Sequence, residues 1–323
     1  MLSLASCAST PDRPTPTSAA VVLGPDRGDG VLTLGIADVA PAAEAGARLA
    51  VTEVNEAGGV LGRPIEVVPP ELADVVLGPD GLTVGSLVVA LEVDAALLAQ
   101  AAVEVALADG ATTAAVVGDG ADAVADLLGA VGVAVVEDLT VAEAVVLVGG
   151  RQAVGLVEVL DAGVDVRAVT TVSTTDDVDA LTRAARGRPG ALEGVHLLAP
   201  GGEAPESLVA RLPDGVDPTG AAGAHDAVVL AALAAEGAGT DSPHGVAAVL
   251  PGMTSVGATC TGFADCRGLV ADGTDIDLDA LGAVERSGPD GRPVEATVTV
   301  RVLGADNRVD PNRTGFLVVA VDP

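Results

Sequence analysis

The sequence predicts an α/β fold of two similar lobes, each a mostly parallel sheet flanked by helices. Three observations carry that expectation. Short aliphatic runs of strand length alternate with segments of helical period along nearly the whole chain, the pattern of repeated βαβ units. The stretch 31–68 is one complete strand–helix–strand unit with its turn residues in place. The length, 323 residues, suits two domains of about 150 residues each.

In the first unit, residues 31–37, VLTLGIA, have the length and aliphatic content of a buried parallel strand. Ala43, Ala47, Ala50, Val51 and Val54 recur at helical spacing over 42–55, with Arg48, Glu53 and Glu56 on the other face. Ala57-Gly58-Gly59 supplies a left-handed C-terminal cap, Leu61-Gly62-Arg63-Pro64 turns the chain, and Ile65 begins the second strand. A right-handed crossover is the expected geometry. Pro69-Pro70 breaks that strand, and the next one, 74–77, ends in Gly78-Pro79-Asp80-Gly81. A strand over 87–91 and a helix over 95–107 follow, and Asp109-Gly110 marks the first passage between lobes.

The second lobe then reads as strand 114–117, helix 121–128, strand 131–136, strand 144–148, helix 152–160, strand 167–172, helix 178–185 and a strand after 192. The loop-rich segment 213–223 returns the chain to the first lobe, where His225 opens a helix over 226–236. Two antiparallel strands, 294–302 and 316–321, close the molecule. The expected division is a tether over 1–30, a first lobe of 31–109 plus 222–285, and a second of 110–221 plus 286–323.

Composition removes several function classes. With 46 acidic against 16 basic residues and a net charge of −30, the chain repels a phosphate backbone, and 1% aromatic residues leave no stacking platform for bases. No nucleic-acid partner is expected. The mean hydropathy of +0.51 excludes a largely disordered chain. No window reaches about 18 uninterrupted apolar residues, so no transmembrane helix is expected.

No catalytic signature stands out. G-x-S-x-G, H-E-x-x-H, the P-loop and C-x-x-C are all missing. Gly118-Asp119-Gly120-Ala121-Asp122-Ala123 after a strand, with Glu137 at the next strand end, fits a dinucleotide-binding fingerprint. Asp119 and Asp122 would crowd negative charge around a pyrophosphate, so the structural turn is the preferred reading. The acidic clusters 176–179 and 275–279 lack the glycine and glutamate of a calcium loop, and no metal site or cofactor is expected.

The string 50–67, AVTEVNEAGGVLGRPIEV, resembles the first βαβ unit of type I periplasmic binding proteins. The particular likeness is to the branched-chain amino acid (Leu/Ile/Val-binding-like) receptors of ABC importers. Weaker similarity occurs at 224–235, AHDAVVLAALAA, and at 260–266, CTGFADC, with the segment 271–277 beyond it. The blocks stand in the family's order, with shorter segments between them. The resemblance implies a non-enzymatic, extracytoplasmic receptor, a monomer that captures a small solute between its lobes and delivers it to a membrane ABC permease. Family members hold a ligand's carboxylate with hydroxyls after the Gly-Pro strand end. Here that loop offers Asp80 and Thr83, and Asp80 repels a carboxylate. With Asp119, Ser173 and His225, these are the candidate ligand-binding residues. They favour a small, polar or cationic solute over branched-chain amino acids.

Leu4-Ala5-Ser6-Cys7 looks like the lipobox of bacterial lipoproteins. Only six residues precede Cys7, fewer than a secretory signal needs, and a chance cysteine is the alternative. The Pro/Thr/Ser-rich tether 8–20 favours a lipid anchor on Cys7 and a start codon placed too late. In an exported protein, Cys260 and Cys266 are expected to form a disulfide, leaving Cys7 for lipid. Two rivals remain: a receptor-like lipoprotein acting as sensor or structural protein without a transport ligand, and a cytosolic nucleotide-binding enzyme resting on Gly118.

Overall fold

The computed structural model describes residues 28–90, 93–118, 120–148, 152–164, 169–172, 181–183, 185–201, 204–216, 218–254 and 257–321. The chain begins as the first unit foretells: β1 (Thr33–Ile36), α1 (Pro41–Glu56) and β2 (Glu66–Val68), with β2 parallel to β1. Gly46, Ala47, Ala50, Val51 and Val54 of α1 are buried, so the apolar stripe faces the core. Gly59, at φ 71°, closes the turn after α1, where a Cβ would stand 2.0 Å from Arg63 O.

β3 (Val75–Gly78) lies parallel to β1 on its other side. The chain then departs from the βαβ pattern. β4 (Gly81–Val84) and β5 (Leu87–Val89) run antiparallel, joined to β3 by a two-residue turn at Pro79-Asp80, and the first sheet has the order β2-β1-β3-β4-β5.

α2 (Ala95–Ala108) is capped by Asp94, whose carboxylate accepts the N–H groups of Ala96 and Leu97 at 3.0 Å. Sequence reading assigns this helix to the first lobe. In the structure its Leu97, Ala101 and Val105 share a core with Ala114, Val146 and Val298 of the second sheet. The passage between lobes therefore falls between Val89 and Asp94, ahead of Asp109-Gly110.

The second sheet contains β6 (Thr113–Gly118), β7 (Ala134–Val135), β8 (Ala144–Val148), β9 (Val169–Val172) and β10 (His196–Pro200), all parallel. The two faces of β8 bury different layers. Ala144, Val146 and Val148 pack with α2 and α3 (Ala121–Ala130), while Val145 and Leu147 pack with α4 (Gln152–Ala162). Burial on both faces explains the unbroken apolar run AVVLV.

After the short helix α5 (Glu206–Val209), the chain returns to the first lobe as α6 (Pro218–Ala238). α6 begins seven residues before His225, with proline tolerated in its first turn, so His225 does not open the helix. Its buried residues include Ala221, Ala224, Val228, Ala231 and Ala235, which makes it the central helix of the lobe. Small residues let α1 and α6 approach closely; a Cβ on Gly46 would stand 2.0 Å from Ala221 O.

α7 (Pro243–Val249), β11 (Ala258–Cys260), α8 (Gly262–Ala271) and β12 (Ile276–Leu278) complete this lobe. A disulfide joins Cys260 to Cys266, with a Cα–Cα distance of 5.3 Å. β13 (Val284–Ser287), β14 (Pro293–Leu303) and β15 (Val309–Ala320) then finish the second sheet, where β14 runs antiparallel to β10, β13 and β15. The chain thus passes between the lobes three times: after β5, between β10 and α6, and between β12 and β13.

Candidate functional site

The hairpin of β13 and β14 brings the second lobe onto the first. Ala90 N–H donates to Gly291 O at 3.0 Å, and Gly291, at φ 80°, lies so near Val88 that a Cβ would meet its carbonyl at 2.0 Å. Beside this contact, beyond the C-terminal end of β12, lies an inter-lobe cleft of ≈ 220 Å³. Asp277 and Asp279 line it from the first lobe, with the hydroxyls of Thr254 and Thr259. Glu285, Arg286 and Glu295 line it from the second.

Carboxylates outnumber cations here. Arg286 is already committed to Glu295, with Nη2–Oε2 at 2.9 Å. Thr297 donates its hydroxyl to Glu285 Oε1 at 2.5 Å. Burial pushes the Glu285 carboxyl above its ordinary pKa; the Thr297 bond opposes this, and the neighbouring charges of Asp279, Glu295 and Asp226 add to it. A group held back from ionising by burial and like charges gains most from a cationic or hydrogen-bond-donating guest.

Of the candidate residues from the sequence, Asp80 sits on the exposed turn at the C-terminal end of β3. Thr83 is not in a ligand-facing loop: it lies within β4, opposite Val76 and Val88. The helix start that the resemblance implies after the Gly-Pro is replaced by this tight turn and antiparallel strand, which remove its N–H donors. Asp119, Ser173 and Cys7 lie outside the described residues.

His225 is buried, at 2% exposure, inside α6. Its Nε2 lies 3.1 Å from Glu53 Oε2 of α1 and its Nδ1 3.3 Å from Asp226 Oδ1. Burial works against its protonation, but the Asp226 and Glu53 carboxylates outweigh it and raise its pKa above the ordinary imidazole value. Glu53 also pairs with Arg211 Nη1 at 2.7 Å, and Asp226 Oδ2 accepts the Gly282 N–H at 2.6 Å. Asp226 is adjacent to His225 in sequence, whereas Glu53 lies 172 residues away with no spacing that links it to the ring. Likewise, the cleft carboxylates Glu285 and Glu295 sit on two adjacent strands and carry no motif.

The Gly118 segment forms a strand–helix turn. Gly118, at φ 123°, approaches Val148 so closely that a Cβ would lie 2.0 Å from its carbonyl, and Gly120, at φ 87°, caps α3. Close packing accounts for Gly118 and the left-handed backbone for Gly120. Among the described residues, no cluster of three or more His, Cys, Asp or Glu is placed to hold a metal ion. No described helix is long and apolar enough to cross a membrane.

No protein-family model matches this chain, and no curated protein matches it in sequence. Solved structures do. A putative branched-chain amino acid ABC transporter from Rhodospirillum rubrum superposes with a TM-score of 0.61 at 17% identity, over 86% of this chain and 99% of that one. The branched-chain amino acid transporter substrate binding protein LivJ from Streptococcus pneumoniae, in complex with isoleucine, gives 0.55 at 15% identity, over 90% and 100%. A fatty acid ABC transporter substrate-binding protein from Thermomonospora curvata gives 0.53 at 14%, over 94% and 95%. The chain has the two-lobed type I periplasmic-binding-protein fold.

Proposed function

We propose that this chain is the extracytoplasmic solute-binding protein of an ABC importer of the branched-chain amino acid/amide type. The observation that carries this reading is the pair of α/β lobes, joined by three passages and superposing on solute-binding proteins over nearly their whole length. Two lobes on a multi-strand hinge can close around a guest between them. Binding and release suffice for the task, so no catalytic residue is assigned.

The guest is small and polar or cationic. The inter-lobe cleft carries Asp277, Asp279 and Glu285 beyond the Arg286–Glu295 pair, and no aromatic face lines it. The turn at Asp80 offers a branched-chain amino acid's carboxylate a negative charge where a donor is needed. Cys7 is the lipid-bearing residue that tethers the receptor to the membrane beside its permease. Expressed in its native cell, the protein should take up a fatty-acid analogue, and Cys7→Ser should not.

A thermal-shift screen of the purified protein tests the reading, using leucine, isoleucine, valine, arginine, putrescine and polyols. A guest present at about 100 times its Kd adds roughly 2.7 kcal/mol of stability, enough to read as a clear upward shift. A rise with one polar or cationic class supports the receptor. A flat response across the panel supports a second reading, a receptor-like lipoprotein acting as sensor without a transport ligand. The β3–β4 turn, which occupies the place of the carboxylate-holding element, favours that second reading.

A further inference from the structure

The polar groups around His225 link two of the three inter-lobe passages. Arg211 belongs to the second passage, between β10 and α6, and its guanidinium grips Glu53 of α1. Gly282 belongs to the third, between β12 and β13, and its N–H is held by Asp226. His225 stands between the two carboxylates, touching Glu53 through Nε2 and Asp226 through Nδ1. A small hollow of ≈ 20 Å³, bordered by Ala90, Gly223, Asp226, Gly282 and Ser287, adjoins the cluster.

We propose that His225 is a proton-operated clasp that couples the second and third passages and so sets the angle between the lobes. An imidazolium carries two N–H donors and serves both carboxylates at once; a neutral imidazole carries one and serves only one. Loss of the proton therefore strips a charge-assisted bond from either the half-buried Glu53 or the buried Asp226, each of which anchors a different passage. That carboxylate must reorient or find another donor, and its passage moves with it. The hinge thereby has two arrangements distinguished by one proton.

The charged groups facing the clasp are few. α1 presents Glu53, α6 presents Asp226, and the second passage presents Arg211. Glu285 of β13 is close enough to Asp226 for each to feel the other's charge. Burial opposes the imidazolium, but the Asp226 and Glu53 carboxylates outweigh it and hold the His225 pKa above the ordinary imidazole value.

The test uses the full chain in a Cys7→Ser background, with spin labels at the exposed positions Leu72 of the first lobe and Val135 of the second. Inter-lobe distances are measured by pulsed electron resonance at about pH 5.5 and about pH 8.5, values that bracket imidazole titration. Histidine-selective NMR on the same protein follows the ring of His225. The distance distribution should shift between the two pH values, with a midpoint at the pKa of His225, and His225→Gln should abolish the shift. Arg211→Gln, at a half-exposed residue outside the core, should leave the His225 titration in place and reduce the shift by at least half. A distribution unchanged across this range, or a shift undiminished in Arg211→Gln, overturns the proposal, even if His225→Gln fails to fold. No solute is present, so failure here leaves the receptor reading untouched, and a chain that binds no solute leaves the clasp standing.

Discussion

His225 Nε2 lies 3.1 Å from Glu53 Oε2, although 172 residues separate them in the chain. The contact joins α1 to α6 and places a titratable ring where burial and two carboxylates compete over its proton.

That competition predicts a definite pH dependence. His225 has its pKa raised in the folded state, so its contribution to stability is complete below its unfolded value of about 6.5 and is lost as pH rises through the raised one. Asp226, raised by burial, acts with the same sign, because its buried charge becomes a growing cost as pH increases. The melting temperature should therefore fall between about pH 6 and about pH 8, and fall less in His225→Gln. Circular-dichroism melts across this range check it; a melting temperature that climbs instead contradicts the assignment.

The α1–α6 contact is a second place to press. A methyl group on Gly46 would sit 2.0 Å from the Ala221 carbonyl, a distance no packing tolerates. Gly46→Ala should force the two helices apart and cost roughly 1–3 kcal/mol, despite alanine's better helix propensity. Gly129, on α3 with open space around it, serves as the control, and Gly129→Ala should be neutral or stabilising. Urea unfolding of both variants reads the difference directly.

The disulfide between Cys260 and Cys266 closes a short loop at the start of α8, and both side chains are buried. Loop-closure entropy assigns such a small ring about 2 kcal/mol. Reduction should lower the melting temperature by several degrees. Alkylation without prior reduction should leave both thiols unmodified in protein prepared from an oxidising compartment; two added alkyl groups there would rule the bond out.

Local pattern carried much of the fold. The helix read over 42–55 is observed as Pro41–Glu56, the strand 144–148 is observed as Ala144–Val148, and the closing antiparallel pair appears as β14 and β15. These elements have strong periodicity or an unbroken apolar run, so neighbours in sequence decide them. α2 packs on the second sheet and is apolar nearly all round, with Leu97, Ala99, Ala101, Ala102 and Val103 buried. Its own sequence does not say which sheet it covers. β4 is four residues between two turns, too short to announce itself beside Gly78-Pro79-Asp80. The site was the least legible part. Glu53 meets His225 only through a tertiary contact, Arg211 and Gly282 join the cluster only through Glu53 and Asp226, and an acidic chain offers dozens of carboxylates with no spacing to single out Glu285.

On the proposed function, the inter-lobe cleft captures a small polar or cationic solute. Calorimetric titration of the ligand-stripped protein tests it most directly, with leucine, isoleucine and valine in one series and arginine and putrescine in another. Weak or undetectable heats are expected for the three branched-chain amino acids. Saturable binding is expected for at least one cationic guest, weakened about tenfold or more in Glu285→Gln, as loss of one charge-assisted contact of about 1.4 kcal/mol requires. Submicromolar binding of leucine, isoleucine or valine, unaffected by Glu285→Gln, would contradict it.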